Sequence, residues 1–195
     1  LCLHNELLNI VKQLDYIPVG LGKDSFSDDW IKDSIGENIS QKNIHYGEHS
    51  FHYWFWKNKL EKIEEGKWIG FCAYRRFWQK NTLKINKISN FKDTILQDIP
   101  KEWENFDVIL GDKMKLDYVK WIKVLKYGKI AFLRNPRSIF KKGRTIRFHF
   151  AMFHGNGVLD KALNLLNEDD KNDFKKYFNE NTSYNQGKMF ICKAK

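Results

Sequence analysis

Two adjacent arginines follow a short apolar stretch in the first half of the chain. The stretch from Trp68 to Ala73 is typical of a buried strand, and Tyr74, Arg75 and Arg76 come directly after it. Guanidinium groups bind phosphate oxygens through paired hydrogen bonds, and both can turn to one pocket where a strand ends. We therefore expect at least one arginine to bind an anionic ligand group. The alternative is that one of them pairs with a surface acid, since adjacent side chains on a strand face opposite ways.

A polar segment precedes an aromatic-rich helix predicted from about His45 to Glu64. Asn38, Ser40 and Asn43 suit either of two roles there. They cap and turn the chain, or they bind a phosphate or sugar at the helix start, where free N–H groups and the helix dipole favour anions. Lys42 adds positive charge at the same place.

The helix itself carries aromatic and histidine side chains at regular spacing. Three aromatic residues at helical spacing are predicted to pack into the core: Phe51, Trp54 and Phe55. His45, His49 and His52 share a helix face with Glu48, which is one way to build a zinc site. The zinc-protease pattern HExxH is absent, and we expect an exposed histidine stripe with no metal.

A turn with a histidine lies in the last third of the chain. His154 begins the sequence His-Gly-Asn-Gly and precedes a predicted helix. Glycine allows a close backbone approach to a ligand, and His154 is a candidate to accept a proton from a hydroxyl. The alternative is an ordinary turn with an incidental histidine.

Composition indicates a folded protein with anionic partners. The 195 residues are 42% hydrophobic and 15% aromatic, with a net charge of +10 and a pI of about 9.4. This excludes a disordered chain and favours nucleic acid, nucleotide-sugars or an acidic membrane face. The basic residues concentrate between Lys113 and Arg147. Three widely spaced cysteines form no CxxC pair, so a reducing, cytoplasmic compartment is expected.

Apolar strand-length runs alternate with helical periods along the chain, which predicts an α/β fold with a mainly parallel sheet. Ligands bind such sheets at the carboxyl ends of the strands. This places three segments on one rim: 20–22, 74–76 and 111–113. We expect one domain over residues 1–195. The chain starts without Met, on what reads as a strand end, and stops just after another apolar run, which suggests a piece of a longer polypeptide. No signal peptide or transmembrane run is visible.

The polar segment, helix and strand together resemble one family, the conserved-domain glycosyltransferases of capsular and exopolysaccharide gene clusters. The matching motifs are Glu-Asn-Ile-Ser from Glu37, the Lys42–Asn43 pair, Glu48, Tyr-Trp-Phe-Trp-Lys-Asn from Tyr53, and Gly70 with Tyr74-Arg75-Arg76. The chain differs from the family pattern at Gly47, His49, Ala73 and Lys188, where the family has Cys, Leu, His and Asn.

The resemblance implies a GT-A-like, Rossmann-like domain that transfers a sugar from a nucleotide-sugar to a glycan or lipid-linked acceptor in surface polysaccharide synthesis. The base that takes the acceptor proton would be Glu48, His154 or Asp160. The residues implied to bind the donor are His4, Gly20, Asn38, Ser40, Lys42, Asn43, Tyr74, Arg75 and Arg76. Arginine charge would replace a divalent cation on the diphosphate, so no cofactor is expected. The alternative is a site that binds Mn²⁺ or Mg²⁺.

Other functions fit parts of the sequence. The basic stretch from Lys113 to Arg147, with interleaved aromatic residues, also suits a non-enzymatic nucleic-acid-binding module or peripheral contact with the inner face of a membrane. A glycosyltransferase-like remnant without activity is the third alternative.

Overall fold

The computed structural model describes residues 11, 13–73, 76–80, 94–116, 122, 124, 126, 128–185 and 187–195. Its elements in chain order are β1 (Val19–Gly20), β2 (Ile31–Lys32), α1 (Asn43–Tyr46), α2 (His49–Asn58), β3 (Trp68–Phe71), β4 (Val108–Leu110), β5 (Met114–Lys115), α3 (Lys129–Arg134), α4 (Ile146–His154), α5 (Val158–Leu163), α6 (Glu168–Glu180), β6 (Ser183–Tyr184) and β7 (Phe190–Lys193). Short 3₁₀ segments lie at Ser40–Lys42, Leu60–Lys62, Lys101–Trp103, Pro136–Ile139 and Lys141–Gly143. The fold is mixed α/β and divides into two compact units, Leu1–Gly111 with Gly187–Lys195, and Asp112–Gln186.

The first unit is built on a three-stranded sheet in the order β3-β7-β4. The carboxyl-terminal strand β7 lies in the middle and runs antiparallel to both neighbours. Among the described strands only β1 and β2 pair in parallel, so a mainly parallel sheet is not confirmed. Apolar runs of strand length look alike in either orientation, and their order along the chain does not show that the last strand inserts between two earlier ones.

The insertion of β7 brings two strand ends to one edge. Because β3 and β4 are both antiparallel to β7, they point the same way. Their last residues, Phe71 and Leu110, both pair with Phe190. The chain therefore leaves β3 at Cys72 and β4 at Gly111 from the same edge of the sheet, while Tyr74 and Arg75 of the predicted rim lie outside the described residues. The remaining predicted rim segment, 20–22, begins at the last residue of β1. β1 belongs to a separate two-stranded sheet.

The single helix predicted from about His45 to Glu64 is interrupted. α1 ends where the Gly47 backbone N–H donates to the Asn43 carbonyl at 2.7 Å, and Gly47 takes a φ of 54°. That backbone conformation is open to glycine at little cost, and it turns the chain before α2 begins. α2 then stops at Asn58, where Lys59 leaves helical geometry with a φ of −127°.

Side chains of the Glu-Asn-Ile-Ser and Tyr-Trp-Phe-Trp-Lys-Asn motifs connect the segment before α1 to α2 through hydrogen bonds. The Asn58 amide donates to the carbonyls of Glu37 and Trp54, both at 2.8 Å. It also accepts from the Glu37 N–H at 3.3 Å. The Tyr53 hydroxyl donates to the Glu37 carboxylate at 2.7 Å, and the Trp54 indole donates to the Ile35 carbonyl. We call Glu37, Tyr53, Trp54 and Asn58 the helix clamp.

The second unit packs helices around a small apolar core. Val124, Ala131, Phe148 and Met152 form its buried centre. Two helices begin at side-chain caps: the Thr145 hydroxyl accepts from the Phe148 N–H, and the Asn167 amide oxygen accepts from the Asp170 N–H. Within the described residues, no helix is long and apolar enough to cross a bilayer.

Two expectations for this unit are wrong. The apolar run from Ile130 to Leu133 predicts a strand, but it is helical in α3, where only Ala131 and Phe132 face the core. A two-residue spacing of buried positions, as a half-buried strand needs, is therefore missing. The helical period from Asp169 to Phe178 predicts that Phe174, Tyr177 and Phe178 point inward; Phe178 is half-buried, but Phe174 and Tyr177 are 44% and 37% exposed.

Candidate functional site

A cleft of about 1190 Å³ opens in the first unit. Its apolar wall combines side chains of α2 with those of the sheet, including Phe51, Phe55, Ile69, Phe71 and Ile191. The rings of Phe55 and Phe71 meet edge to face at 5.2 Å. Phe71 contacts Phe51 at 6.2 Å in the same way. A concave, aromatic wall with a few polar groups is the usual form of a small-molecule site.

Glu48 is the predicted base that lies in this cleft. It stands at the amino end of α2, where the helix dipole favours a carboxylate. Its Oε2 atom pairs with Lys188 Nζ at 2.9 Å, and the carboxylate side chain is 21% exposed. Glu48 is thus held in one place by a charged partner while it remains accessible from the cleft.

His52 also lines the cleft, one helical turn after Glu48. Its ring lies edge to face against Phe71 at 4.9 Å and Phe190 at 5.2 Å. Burial, and then the neighbouring His49, lower the pKa of His52 to about 4, against an opposing effect of Glu48. His52 is therefore neutral near pH 7 and can donate or accept a hydrogen bond, but it brings no positive charge.

The histidine stripe does not assemble a metal site within the described residues. His49 Nδ1 and His52 Nδ1 lie 3.2 Å apart, whereas His45 is exposed. In the part of the chain that the structure describes, no three His, Cys, Asp or Glu side chains come close enough to share a metal ion. The residues seen here do not by themselves fit a resident cation.

A buried hydrogen-bonded network supports the floor of the site. Asp33 is 1% exposed and accepts from the Gly22 N–H at 2.9 Å and from the Ser50 hydroxyl at 2.6 Å. Asn43 donates to Ser50 Oγ at 2.9 Å and to the Gly47 carbonyl at 2.8 Å. The network joins the loop after β1 to both helices, and so fixes the backbone around Asn43 and Glu48.

The predicted donor residues fall into three groups. Asn43 lines the cleft, and Gly20 lies between two lining residues, Val19 and Leu21. A side chain at Gly20 would collide with the ring of Phe26. His4, Tyr74 and Arg75 lie outside the described residues.

The remaining donor candidates are not among the lining residues that the structure describes. The Asn38 amide donates to the carbonyls of Ser34 and Gly36, and its oxygen accepts from the Ser40 hydroxyl at 2.9 Å. These contacts are those of the turn-forming role, whereas no side chain caps the start of Ser40–Lys42 or of α1. Lys42 is exposed. Arg76 is exposed as well, and its N–H donates to the Ala73 carbonyl at 3.1 Å.

The other two predicted bases belong to the second unit. Asp160 Oδ1 pairs with Arg147 at 2.6 Å, and the same guanidinium donates to Asn179 at 2.6 Å. This ties α4 to α5 and α6, which gives Asp160 a structural role. His154 ends α4, where its ring packs on Phe150 at 4.5 Å and Gly155 turns the chain with a φ of 93°.

Several residues of the cleft were not foreseen. The lining includes the carboxylates Asp15, Asp24 and Asp98, against Lys67 as its one described Lys or Arg. The apolar run around Cys72 predicts a core position, but Cys72 lines the cleft, and burial raises the pKa of its thiol to about 11. The Tyr16 hydroxyl donates to the Leu96 carbonyl at 2.6 Å. No local pattern marks these residues, because loops distant in the sequence bring them together.

The structure defines a mixed α/β protein with an aromatic cleft in its first unit. The chain belongs to the family described as DUF4422, a domain of unknown function, whose model matches residues 1–195. A comparison with curated proteins gives no match. Among solved structures, the fold is similar to the apo structure of WbbM, a bifunctional glycosyltransferase, with a TM-score of 0.53 and 22% identity. The similarity covers 91% of this chain and 30% of that one, so the chain spans less than a third of the solved protein.

Proposed function

We propose that the chain is a glycosyltransferase that moves a sugar from a nucleotide-sugar donor to a glycan or lipid-linked acceptor in surface polysaccharide synthesis. The observation that carries the proposal is the position of Glu48 at an aromatic cleft, in a fold similar to that of a glycosyltransferase. Aromatic faces pack against the C–H groups of a sugar, and carboxylates accept hydrogen bonds from its hydroxyls. The carboxylates of the cleft therefore suit a neutral, hydroxyl-rich group better than a phosphate.

The diphosphate of the donor needs positive charge that these carboxylates do not supply. We assign it to the segment after β3, which contains Arg75 and Arg76. This segment is bracketed in sequence by Cys72 and Trp78, both of which line the cleft. Arginine would neutralise the charge that develops on the leaving diphosphate, in a GT-A-like arrangement without a required metal.

Glu48 is the base in this proposal if transfer inverts the anomeric centre. The acceptor oxygen forms a bond to the anomeric carbon while the bond from that carbon to the diphosphate breaks. The hydroxyl proton passes to the Glu48 carboxylate, and the nucleoside diphosphate leaves with the bonding electrons. Lys188 and the start of α2 hold the carboxylate in place for this step.

A thermal-shift screen against a panel of nucleotide-sugars, with and without Mn²⁺, tests donor binding. A ligand that binds the folded state raises its apparent stability, by about 2.7 kcal/mol at a concentration 100 times its dissociation constant. We expect stabilisation by at least one donor in the presence of a chelator. Stabilisation only with Mn²⁺ would exclude the arginine-based scheme, and no response to any nucleotide-sugar would exclude the function.

A second experiment, a release assay, separates sugar transfer from donor binding alone. A responding donor is incubated with the chain and glycan acceptors, and the released nucleoside diphosphate is measured. Arg76→Ala is expected to abolish donor stabilisation with the fold retained, whereas Lys101→Ala, at an exposed position of the same unit, leaves it unchanged. Donor binding without release would support the inactive alternative.

A further inference from the structure

The outer face of α3 combines exposed apolar and basic side chains. Ala131 is 4% exposed and Phe132 packs against the core of the second unit. The other four residues are exposed, with Ile130 at 62% and Leu133 at 76%. At about 100° per residue, their order across the helix surface is Lys129, Leu133, Ile130, Arg134. We call these four residues the α3 outer arc.

The α3 outer arc has two apolar side chains at its centre and one basic side chain at each flank. The chain that follows exposes Phe140 to 70%, together with Arg137 and Lys142. The sequence has no Asp or Glu between Asp117 and Asp160. Exposed aliphatic and aromatic side chains along a segment with basic and no acidic residues are unfavourable in water and mark a site of interaction.

We propose that the α3 outer arc docks the chain on a bilayer that contains anionic phospholipid. Ile130 and Leu133 enter the boundary between headgroups and acyl chains. Lys129 and Arg134 extend sideways so that their charged ends stay at the level of the phosphates. Each basic residue near such a surface adds attraction to the negative surface potential. This proposal does not depend on the glycosyltransferase activity.

The composition of the arc favours a lipid surface over nucleic acid. Binding to single-stranded nucleic acid relies on aromatic rings that stack on bases. Aliphatic side chains have no such face, and Phe132, the aromatic residue within α3, packs against the core. A bilayer accepts aliphatic side chains at the centre and cations at the edge, which is the order found in the arc.

Co-sedimentation with vesicles tests the proposal on the 195-residue chain. Vesicles of phosphatidylcholine alone are compared with vesicles that also contain phosphatidylglycerol, at low and high salt. We expect binding to the anionic vesicles that weakens with salt, and little binding to the neutral ones. Lys129→Ala with Arg134→Ala should lower the partition coefficient by about 30-fold, because each charge contributes about 1 kcal/mol.

The apolar part of the arc is tested separately. Ile130→Ser with Leu133→Ser should lower partitioning by about 100-fold, because it removes two side chains that lose water contact on binding. Matched controls change exposed residues elsewhere: Lys175→Ala with Lys176→Ala on α6, and Ile44→Ser with Leu165→Ser. Circular dichroism checks that each variant is folded.

Three results would overturn the docking proposal. The first is absence of wild-type binding to anionic vesicles. The second is equal loss in the control variants, which would mean that charge or apolar surface anywhere on the chain suffices. The third is binding to oligonucleotides that the same arc variants abolish while vesicle binding persists, which would assign the arc to nucleic acid.

Discussion

Ser50 donates a hydrogen bond of 2.6 Å to Asp33, and both side chains are buried. Asp33 lies in the turn after β2, and Ser50, 17 positions later, lies in the first turn of α2. A buried carboxylate is tolerated because its oxygens have donors, here Ser50 and the Gly22 N–H. This pair holds the loop after β1 against the helix that positions Glu48.

The first prediction concerns the stability that this pair provides. Asp33→Ala should destabilise the fold by about 2 kcal/mol, because the half-buried Gly22 N–H loses its acceptor and the Ser50 hydroxyl keeps only the Gly47 carbonyl at 3.1 Å. Ser50→Ala should cost about 1 to 2 kcal/mol, and a double-mutant cycle by urea denaturation should give a coupling of about 1 kcal/mol. Ser34→Ala, at an exposed position next to Asp33, is the control and should change stability by less than about 0.5 kcal/mol. Additive effects would show that the contact carries no coupling.

The second prediction separates the three candidate bases. Glu48→Gln keeps the size of the side chain but removes the proton acceptor, so kcat should fall by about 10²- to 10⁴-fold with little change in donor affinity. His154→Gln and Asp160→Asn are measured beside it with the responding donor. An equally large fall of kcat in either of these variants, with Glu48→Gln still active, would assign the base to a residue of the second unit. Glu65→Gln, exposed in the first unit, controls for loss of a carboxylate.

The third prediction concerns the helix clamp. Asn58→Ala removes hydrogen bonds to the Glu37 carbonyl, the Trp54 carbonyl and the Glu37 N–H. Because these groups are partly exposed and water replaces some bonds, we expect a loss of about 2 kcal/mol in urea denaturation. Asn105→Ala, at an exposed loop position, should have little effect. If Asn58→Ala instead leaves stability intact and weakens donor binding, the motif has a direct ligand role.

Sequence periodicity predicted the elements at the site better than their arrangement. The core position of Trp54 is confirmed at 5% exposure, and β3 lies within the predicted strand. Phe51 and Phe55 share the helix face of Trp54 but line a cleft, because a cavity and a core present the same apolar pattern. The direction of β7 and the Asp33–Ser50 contact depend on residues far apart in the chain, which no local pattern records.

The clamp shows a second limit of sequence analysis. Glu37, Tyr53 and Asn58 were part of the motifs that suggested a glycosyltransferase, and the structure gives each of them a contact within the fold. A motif of polar residues indicates that the positions matter but not whether they contact ligand or backbone. Only the position of a side chain relative to the cleft separates the two, as it does for Asn43 and Asn38.

The last prediction follows from the lowered pKa of His52. In the folded chain the pKa of His52 is about 4, whereas in the unfolded chain it has the ordinary histidine value of 6.5. As pH falls below 6.5, the unfolded state gains the proton first, so stability is lost on acidification. We expect a loss of about 1 to 2 kcal/mol between about pH 7 and about pH 5, allowing for partial exposure. Urea denaturation at both pH values measures it. His52→Gln should remove this part of the loss and exposed His45→Gln should retain it; equal losses in both variants would assign the pH dependence to other groups.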